Sequence, residues 1–256
     1  MVLALVIGFC GCSTASTPRA HDAPPDPDAI LVSYQRFGGF VPTDAEALTV
    51  TAAGVFELRR TVGSDRIGQF AGSLDRKHLR VLQGAAKRIT EDYQSSQPVA
   101  SESVTERLSV SSANATIASH AKLPSRWSEL LDIIRADVEQ LTASPHAALE
   151  LLVQREPGNQ LRGKLQQLGD ASVRFAGTAI VIEVTTFDRS NRLRARWSST
   201  DTLQIAEAQS GWTQDLRLSR SDAVAQRTDT VIVTAKLTIV DADGIARRSQ
   251  LTVAKP

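Results

Sequence analysis

Cysteine is almost missing from this chain. Its two cysteines, Cys10 and Cys12, both lie in the first twelve residues. The body beyond them has no disulfide to form and no thiol chemistry. Charge of one sign is also lacking. With a formal net charge of +1, no global field draws the chain to nucleic acid or to acidic lipid, and no nucleic-acid partner is expected. No apolar run approaches the roughly 20 residues that span a bilayer. HExxH, GxSxG, a Walker loop and a dinucleotide fingerprint are all absent. The four histidines, His21, His78, His120 and His146, are too scattered for metal-ligand spacing. The carboxylates offer no recognisable acid–base pair. No catalytic residue, metal or cofactor is therefore assigned, and the chain reads as a binding protein rather than an enzyme.

What is present begins with MVLALVIGFCGC, residues 1–12. The short apolar run suits the h-region of a signal peptide. Phe9-Cys10-Gly11-Cys12 resembles the box that ends a lipoprotein signal, with Cys12 as the residue to be lipidated. No Lys or Arg precedes the run, and the same residues also suit an ordinary cleaved signal with free secretion. Residues 13–28, STASTPRAHDAPPDPD, are small, polar and rich in proline. They have no apolar face to bury and behave as a semi-extended spacer. Membrane contact is expected through the lipid anchor alone.

Apolar periodicity divides the remainder into two units. The first, residues 29–142, is expected to be an α+β domain, an antiparallel sheet with two helices. Residues 30–34 alternate as a strand, and Arg36-Phe37-Gly38-Gly39-Phe40 reads as a tight or irregular loop. Residues 48–51 and 55–60 flank a turn at Gly54. Residues 63–72 read as loop. Ser73 looks like the N-cap of a helix over 74–89. Residues 104–110 and 116–119 suit a strand pair with 111–115 as the turn. Pro124-Ser125 opens a second helix, whose stripe is Trp127, Leu130, Leu131, Ile134, Val138 and Leu141. Ala143-Ser144-Pro145 reads as the boundary.

The second unit, residues 146–256, is expected to be an all-β antiparallel sandwich. Strands are read at 147–154, 161–166, 171–175, 179–187, 192–198, 212–218, 230–240 and 245–253, with turn residues between most of them. Val231, Val233, Ala235, Leu237 and Ile239 share one face, the alternation of a half-buried sheet. Asp241-Ala242-Asp243-Gly244 reads as a hairpin turn, because an EF-hand would need further oxygen ligands and a closing Glu. Arg192, Arg194 and Arg196 share a strand face that Trp197 avoids, and that face reads as solvated.

The segment YQRFGGF, residues 34–40, with the element order after it, resembles the emfourin-like family. These are small bacterial inhibitors of protealysin-type zinc metallopeptidases, which open on a strand leading into R-x-GGF. The resemblance covers residues 30–141, and the C-terminal unit has no counterpart in it. It implies a protein partner, a metallopeptidase, met by the loop Gly38, Gly39, Phe40, Val41 and Pro42. A Gly-Gly pair allows close backbone approach, and a bulky apolar residue suits what such peptidases prefer after the scissile bond. The alternative is an envelope scaffolding or ligand-binding lipoprotein without inhibitory activity.

The anchor is testable directly. Metabolic labelling with a fatty acid is expected to mark the protein, and Cys12→Ala to abolish the label. An unlabelled wild-type protein would leave free secretion as the reading.

Overall fold

A computed structural model describes residues 26–38, 41–63, 65–95, 104–118, 121–157, 160–218 and 229–255, with residues 41–44 described through their backbone alone. Cys12 and the spacer up to residue 25 lie outside this set. The chain is predominantly β. Its N-terminal elements are β1 (Ile30–Gly38), β2 (Val41–Thr51), β3 (Val55–Arg60), β4 (Val62–Gly63), β5 (Arg66–Ser73), α1 (Arg76–Lys87), β6 (Tyr93–Gln94), β7 (Val104–Val110), β8 (Ala113–Ala118) and α2 (Ser125–Leu141). The strands that follow are β9 (Pro145–Arg155), β10 (Leu161–Leu168), β11 (Val173–Phe175), β12 (Ala179–Phe187), β13 (Leu193–Thr202), β14 (Glu207–Ala208), β15 (Thr213–Arg217), β16 (Thr230–Val240) and β17 (Ala246–Lys255).

Two sheets form. The first has ten strands in the order β15-β10-β9-β5-β3-β2-β1-β7-β8-β6. The second has seven: β13-β12-β16-β11-β14, with β17 beside β16 and β4 beside β17. Most pairings are antiparallel, but β6 runs parallel to β8 and β4 parallel to β17. Both sheets are thus mixed rather than purely antiparallel, because two short segments join existing edges in the same direction.

The expected boundary at residues 143–145 does not interrupt the first sheet. Strand β9 pairs with β5 from Arg66↔Glu150 to Phe70↔Pro145. Ser144-Pro145 is the turn from α2 into β9, with Pro145 at the strand's first position, where a missing N–H is tolerated. Alternation along β5 and β9 shows how one sheet serves two cores. Ile67, Ala147, Leu149, Leu151 and Val153 pack with Ile180, Ile182, Val184, Val231 and Val233 of the second sheet. Phe70 and Ala148, of opposite parity, pack with the helical layer, Leu82, Leu130, Leu131 and Ile134. The helices therefore cover one face of the first sheet and the second sheet covers the other. Near β5 and β9 both faces are covered. This explains the almost unbroken burial over residues 147–151, the pattern of a strand buried on both sides.

Residues 63–72 are the clearest departure from the sequence reading. They form mainly β5, not a loop. Glycines at 63, 68 and 72 suggest irregularity, but they answer to close packing. Gly68 has φ +126°, and a Cβ there would lie 2.3 Å from the Ala147 carbonyl oxygen. It sits next to an irregularity in the β5–β9 register. Helix α1 also begins later than expected. Its N-cap is Asp75, whose Oδ1 accepts the N–H groups of Lys77 (2.8 Å) and His78 (2.9 Å), while Ser73 ends β5. The β7–β8 turn is the two residues 111–112, so Asn114 and Ala115 are strand. The hairpin at Gly54 (φ +85°), the buried stripe of α2 and the inward face of β16 agree with the sequence.

Because β5 takes β9 as its partner, the whole chain is expected to melt in one cooperative transition. A fragment of residues 29–142 is expected to lose cooperativity, since its β5 edge and Phe70 lose their cover. Calorimetry of both proteins checks this. A fragment that melts sharply, matching one of two transitions in the full chain, would establish independent units.

Candidate functional site

Strand register brings charge together at one end of the first sheet. Arg60 on β3 lies opposite Glu46 on β2. Glu46 lies opposite Arg36 on β1, and Arg36 opposite Glu106 on β7. Four neighbouring strands thus carry a row that alternates in sign, on the face that α2 covers. Residues directly opposite on a sheet stand close enough to interact. From α2, Arg135 and Glu139 stand one turn apart and reach down to the two ends of the row. Arg60 Nε meets Glu46 Oε1 at 2.9 Å, and its Nη2 meets Glu139 Oε1 at 2.7 Å. Arg135 Nη2 meets Glu106 Oε2 at 2.5 Å. Arg36 approaches Glu46 at 3.7 Å. Three arginines and three glutamates thus gather as the run Glu139–Arg60–Glu46–Arg36 and the pair Arg135–Glu106, with Arg36 and Glu106 facing each other in register, an open ring of alternating sign.

The ring borders a cleft of about 540 Å³ lined by Tyr34, Arg36, Glu46, Val104, Glu106, Arg135, Val138 and Glu139. Glu46, Glu106 and Arg60 are buried, while Arg135 and Glu139 reach solvent. The Tyr34 hydroxyl donates to Glu106 Oε1 at 2.7 Å. Burial, then the Glu106 charge and this hydrogen bond, push the Tyr34 phenol well above its ordinary value. Burial also raises the Glu46 carboxyl, although Arg60 and Arg36 pull against it. Both shifts follow from placing ionisable groups beneath a helix.

The sequence-predicted loop adjoins this ring. Gly38 pairs with Val41 across the β1–β2 hairpin, two residues along β1 from Arg36. Gly38 has φ +88°, a conformation suited to glycine. The expected irregular loop is therefore shorter than the sequence suggests, since strand pairing extends to Gly38 and Val41. Gly39 and Phe40 lie outside the described residues, and the backbone at Val41 and Pro42 belongs to β2. On the face away from the ring, the Arg107 guanidinium lies over the Phe37 ring, 4.8 Å from its centre. The base of the hairpin is thus braced on both faces.

The other signalled residues lie elsewhere. His78 Nδ1 contacts Asp75 Oδ2 at 2.5 Å, and His146 Nδ1 contacts Asp170 Oδ1 at 2.9 Å. No group of three His, Cys, Asp or Glu that could hold a metal occurs among the described residues. Asp241 opens the β16–β17 turn. Its Oδ1 accepts the Ile245 N–H at 2.9 Å, and its Oδ2 meets Arg247 and Arg59. Trp197 is buried and donates Nε1–H to the Leu218 carbonyl at 2.9 Å.

The ring's residues carry no local signature. Each reads as a charge that interrupts strand or helix alternation, and only register shows that they converge. Position did offer a clue. Val32, Tyr34 and Arg36 share a parity, so Arg36 continues a buried face. No protein-family model matches the chain, and no curated protein is significantly similar to it in sequence. The emfourin-like resemblance rests on YQRFGGF and the element order alone.

Glu46 gives the site a pH signature. Its folded pKa is raised, so as pH falls through that value the folded state takes up a proton that the unfolded state does not yet bind. Stability is then gained on acidification until the ordinary Glu value near 4.5 is reached. Glu46→Gln is expected to remove this contribution. Urea midpoints compared between wild type and variant from pH 5 to 8 check it, and parallel pH profiles would show that Glu46 is not the source.

Proposed function

We propose that the chain is a binding protein of the cell envelope, anchored through a lipidated Cys12 and spaced from the membrane by residues 13–28. In this reading the β1–β2 hairpin end, residues 38–42, meets a protein partner. The observation that carries it is the bracing of that hairpin. The alternating ring fixes one face of its base, and the Phe37–Arg107 contact holds the other. A stiff hairpin can present a short apolar segment with little ordering on contact. Pro42 restricts the backbone of β2 just past the turn.

The candidate partner is a zinc metallopeptidase of the protealysin type. The residues that support it are Gly38, Gly39 and Phe40 in the R-x-GGF context, with Phe40 as the apolar side chain offered to the cleft. The chain itself supplies no metal or cofactor to this interaction. It acts by occupying the peptidase's substrate groove.

Slow, tight inhibition of a thermolysin-like or protealysin-like peptidase by the full mature chain is the expected result. Phe40→Ala should weaken inhibition roughly thirtyfold, the loss of about 2 kcal/mol typical of an interface anchor. Absence of inhibition across such a panel at micromolar protein would eliminate the peptidase target. An envelope scaffold or ligand-binding lipoprotein would then be the reading, tested by cross-linking in cells.

A further inference from the structure

Helix α1 buries one side and carries only positive charge on the other. Its sequence, RKHLRVLQGAAK, contains no acid. At 100° per residue, Arg76, Lys77, Arg80, Lys87 and the C-cap Arg88 fall within about 120° of the circumference, and all five are exposed. Leu82, Ala85 and Ala86 take the buried side. The net charge of +1 conceals this concentration, because acids elsewhere in the chain balance it.

The acids beside the helix are engaged, buried or balanced. Asp75, the N-cap, accepts the Lys77 and His78 N–H groups and contacts the His78 ring. Glu129 of α2 holds Arg88, and Asp137 of α2 is buried. Past the helix, Glu91 and Asp92 line a cleft together with Arg88 and Arg126. Arg76, Lys77, Arg80 and Lys87 form no ion pair among the described residues. These four sit on a convex helix face without an aromatic side chain. Such a face lacks the stacking platform that single-stranded nucleic acid needs and suits a flat array of anions.

The position of the helix selects the occupant. The described chain enters at residues 26–29, where the Pro27 and Ala29 carbonyls accept the N–H groups of Ala53 (3.0 Å) and Ala52 (2.8 Å). The same β2–β3 turn supports α1. Leu74 N–H donates to the Gly54 carbonyl at 2.8 Å, and Gln83 Nε2 donates to the Ala52 carbonyl at 3.2 Å. The spacer proposed above therefore joins the molecule beside the basic face. Its Arg19 and Asp22 cancel, and Asp26 and Asp28 are the charges that oppose the face there. We infer that the outer face of α1 lies against an anionic membrane surface, with its guanidinium and ammonium groups meeting lipid phosphates. The acyl anchor holds the chain near the membrane, and the basic face sets which side of the protein meets it. Gly38 lies at the far end of β1, about 26 Å from this entry at roughly 3.3 Å per residue, so the hairpin surface is separate. The inference rests on the envelope reading only for the presence of a membrane.

The test uses the chain from residue 13, which carries no acyl group and keeps every described residue. Failure of the fatty-acid label and failure of this inference are then separate results. Sedimentation with vesicles of phosphatidylglycerol and phosphatidylcholine is compared with vesicles of phosphatidylcholine alone. Binding to the anionic vesicles is expected at lipid on the order of millimolar, since each cation near such a surface strengthens binding roughly fivefold. Lys77→Gln with Arg80→Gln should weaken it roughly twenty-five-fold at an unchanged melting temperature. Salt of about 0.5 M should release the protein, because the screening length falls to about 4 Å. Arg174→Gln with Arg192→Gln removes the same charge from exposed positions near the second sheet and should leave binding unchanged. Equal binding to both kinds of vesicle, or equal losses in the two double variants, would overturn the inference. So would binding to an oligonucleotide with none to vesicles, since the face would then serve a different polyanion.

Discussion

The pairing of β5 with β9 ties the molecule together. It extends the first sheet past the end of α2, and it places two strands where both faces are covered. Ile67 and Leu149 enter the core between the sheets, while Phe70 and Ala148 enter the core beneath the helices. A change at either strand is therefore felt in both cores, because close-packed interiors transmit strain. Polar contacts reinforce the join. Arg66 Nε donates to Glu150 Oε1 at 2.9 Å, and its Nη1 reaches the Thr142 carbonyl at 3.2 Å, at the C-terminal end of α2. From the other sheet, Asp241 holds both Arg247 and Arg59. Burial alone would raise the Asp241 carboxyl, but the hydrogen bonds from Arg247 and Ile245 outweigh it and hold it below the usual range.

The alternating ring solves a related problem at the far end of the sheet. Buried charges are unfavourable unless each has a partner. A row of Arg60, Glu46, Arg36 and Glu106 supplies partners sideways, and Glu139 and Arg135 supply them from above. The same row specifies register. Sliding β1 along β2 by two residues would bring Arg36 opposite Leu48 or Asp44 and leave Glu46 with Arg60 alone. Register errors of this kind are otherwise weakly resisted near a hairpin end, where few apolar side chains remain to be buried. Between Arg36↔Glu46 and Gly38↔Val41 the register shifts, so the hairpin closes through an irregularity just past the charged row.

Much of the fold is legible in the sequence where one periodicity dominates. The stripe from Trp127 to Leu141 and the alternation from Val231 to Ile239 both report a single buried face. Legibility fails where a segment answers to two neighbours. Residues 147–151 lose strict alternation because both faces are buried, and the sequence of β5 is masked by glycines whose role is a close approach to β9. Ser144-Pro145 carries a genuine turn signal, but a turn into a shared sheet looks the same as a boundary between units. The ring was illegible for a different reason. Its six residues come from five elements, and convergence depends on register between strands distant in sequence, Tyr34 and Glu106 being 72 residues apart.

The ring's neutrality also bears on what a partner gains there. Each of its carboxylates already faces a guanidinium, so a partner charge entering the cleft must compete with an existing pair and lose its own hydration. Such exchanges add little net affinity, whereas they discriminate strongly between partners. Under the function proposed above, affinity would come from the apolar residues 40–42, and the charged cleft would decide orientation.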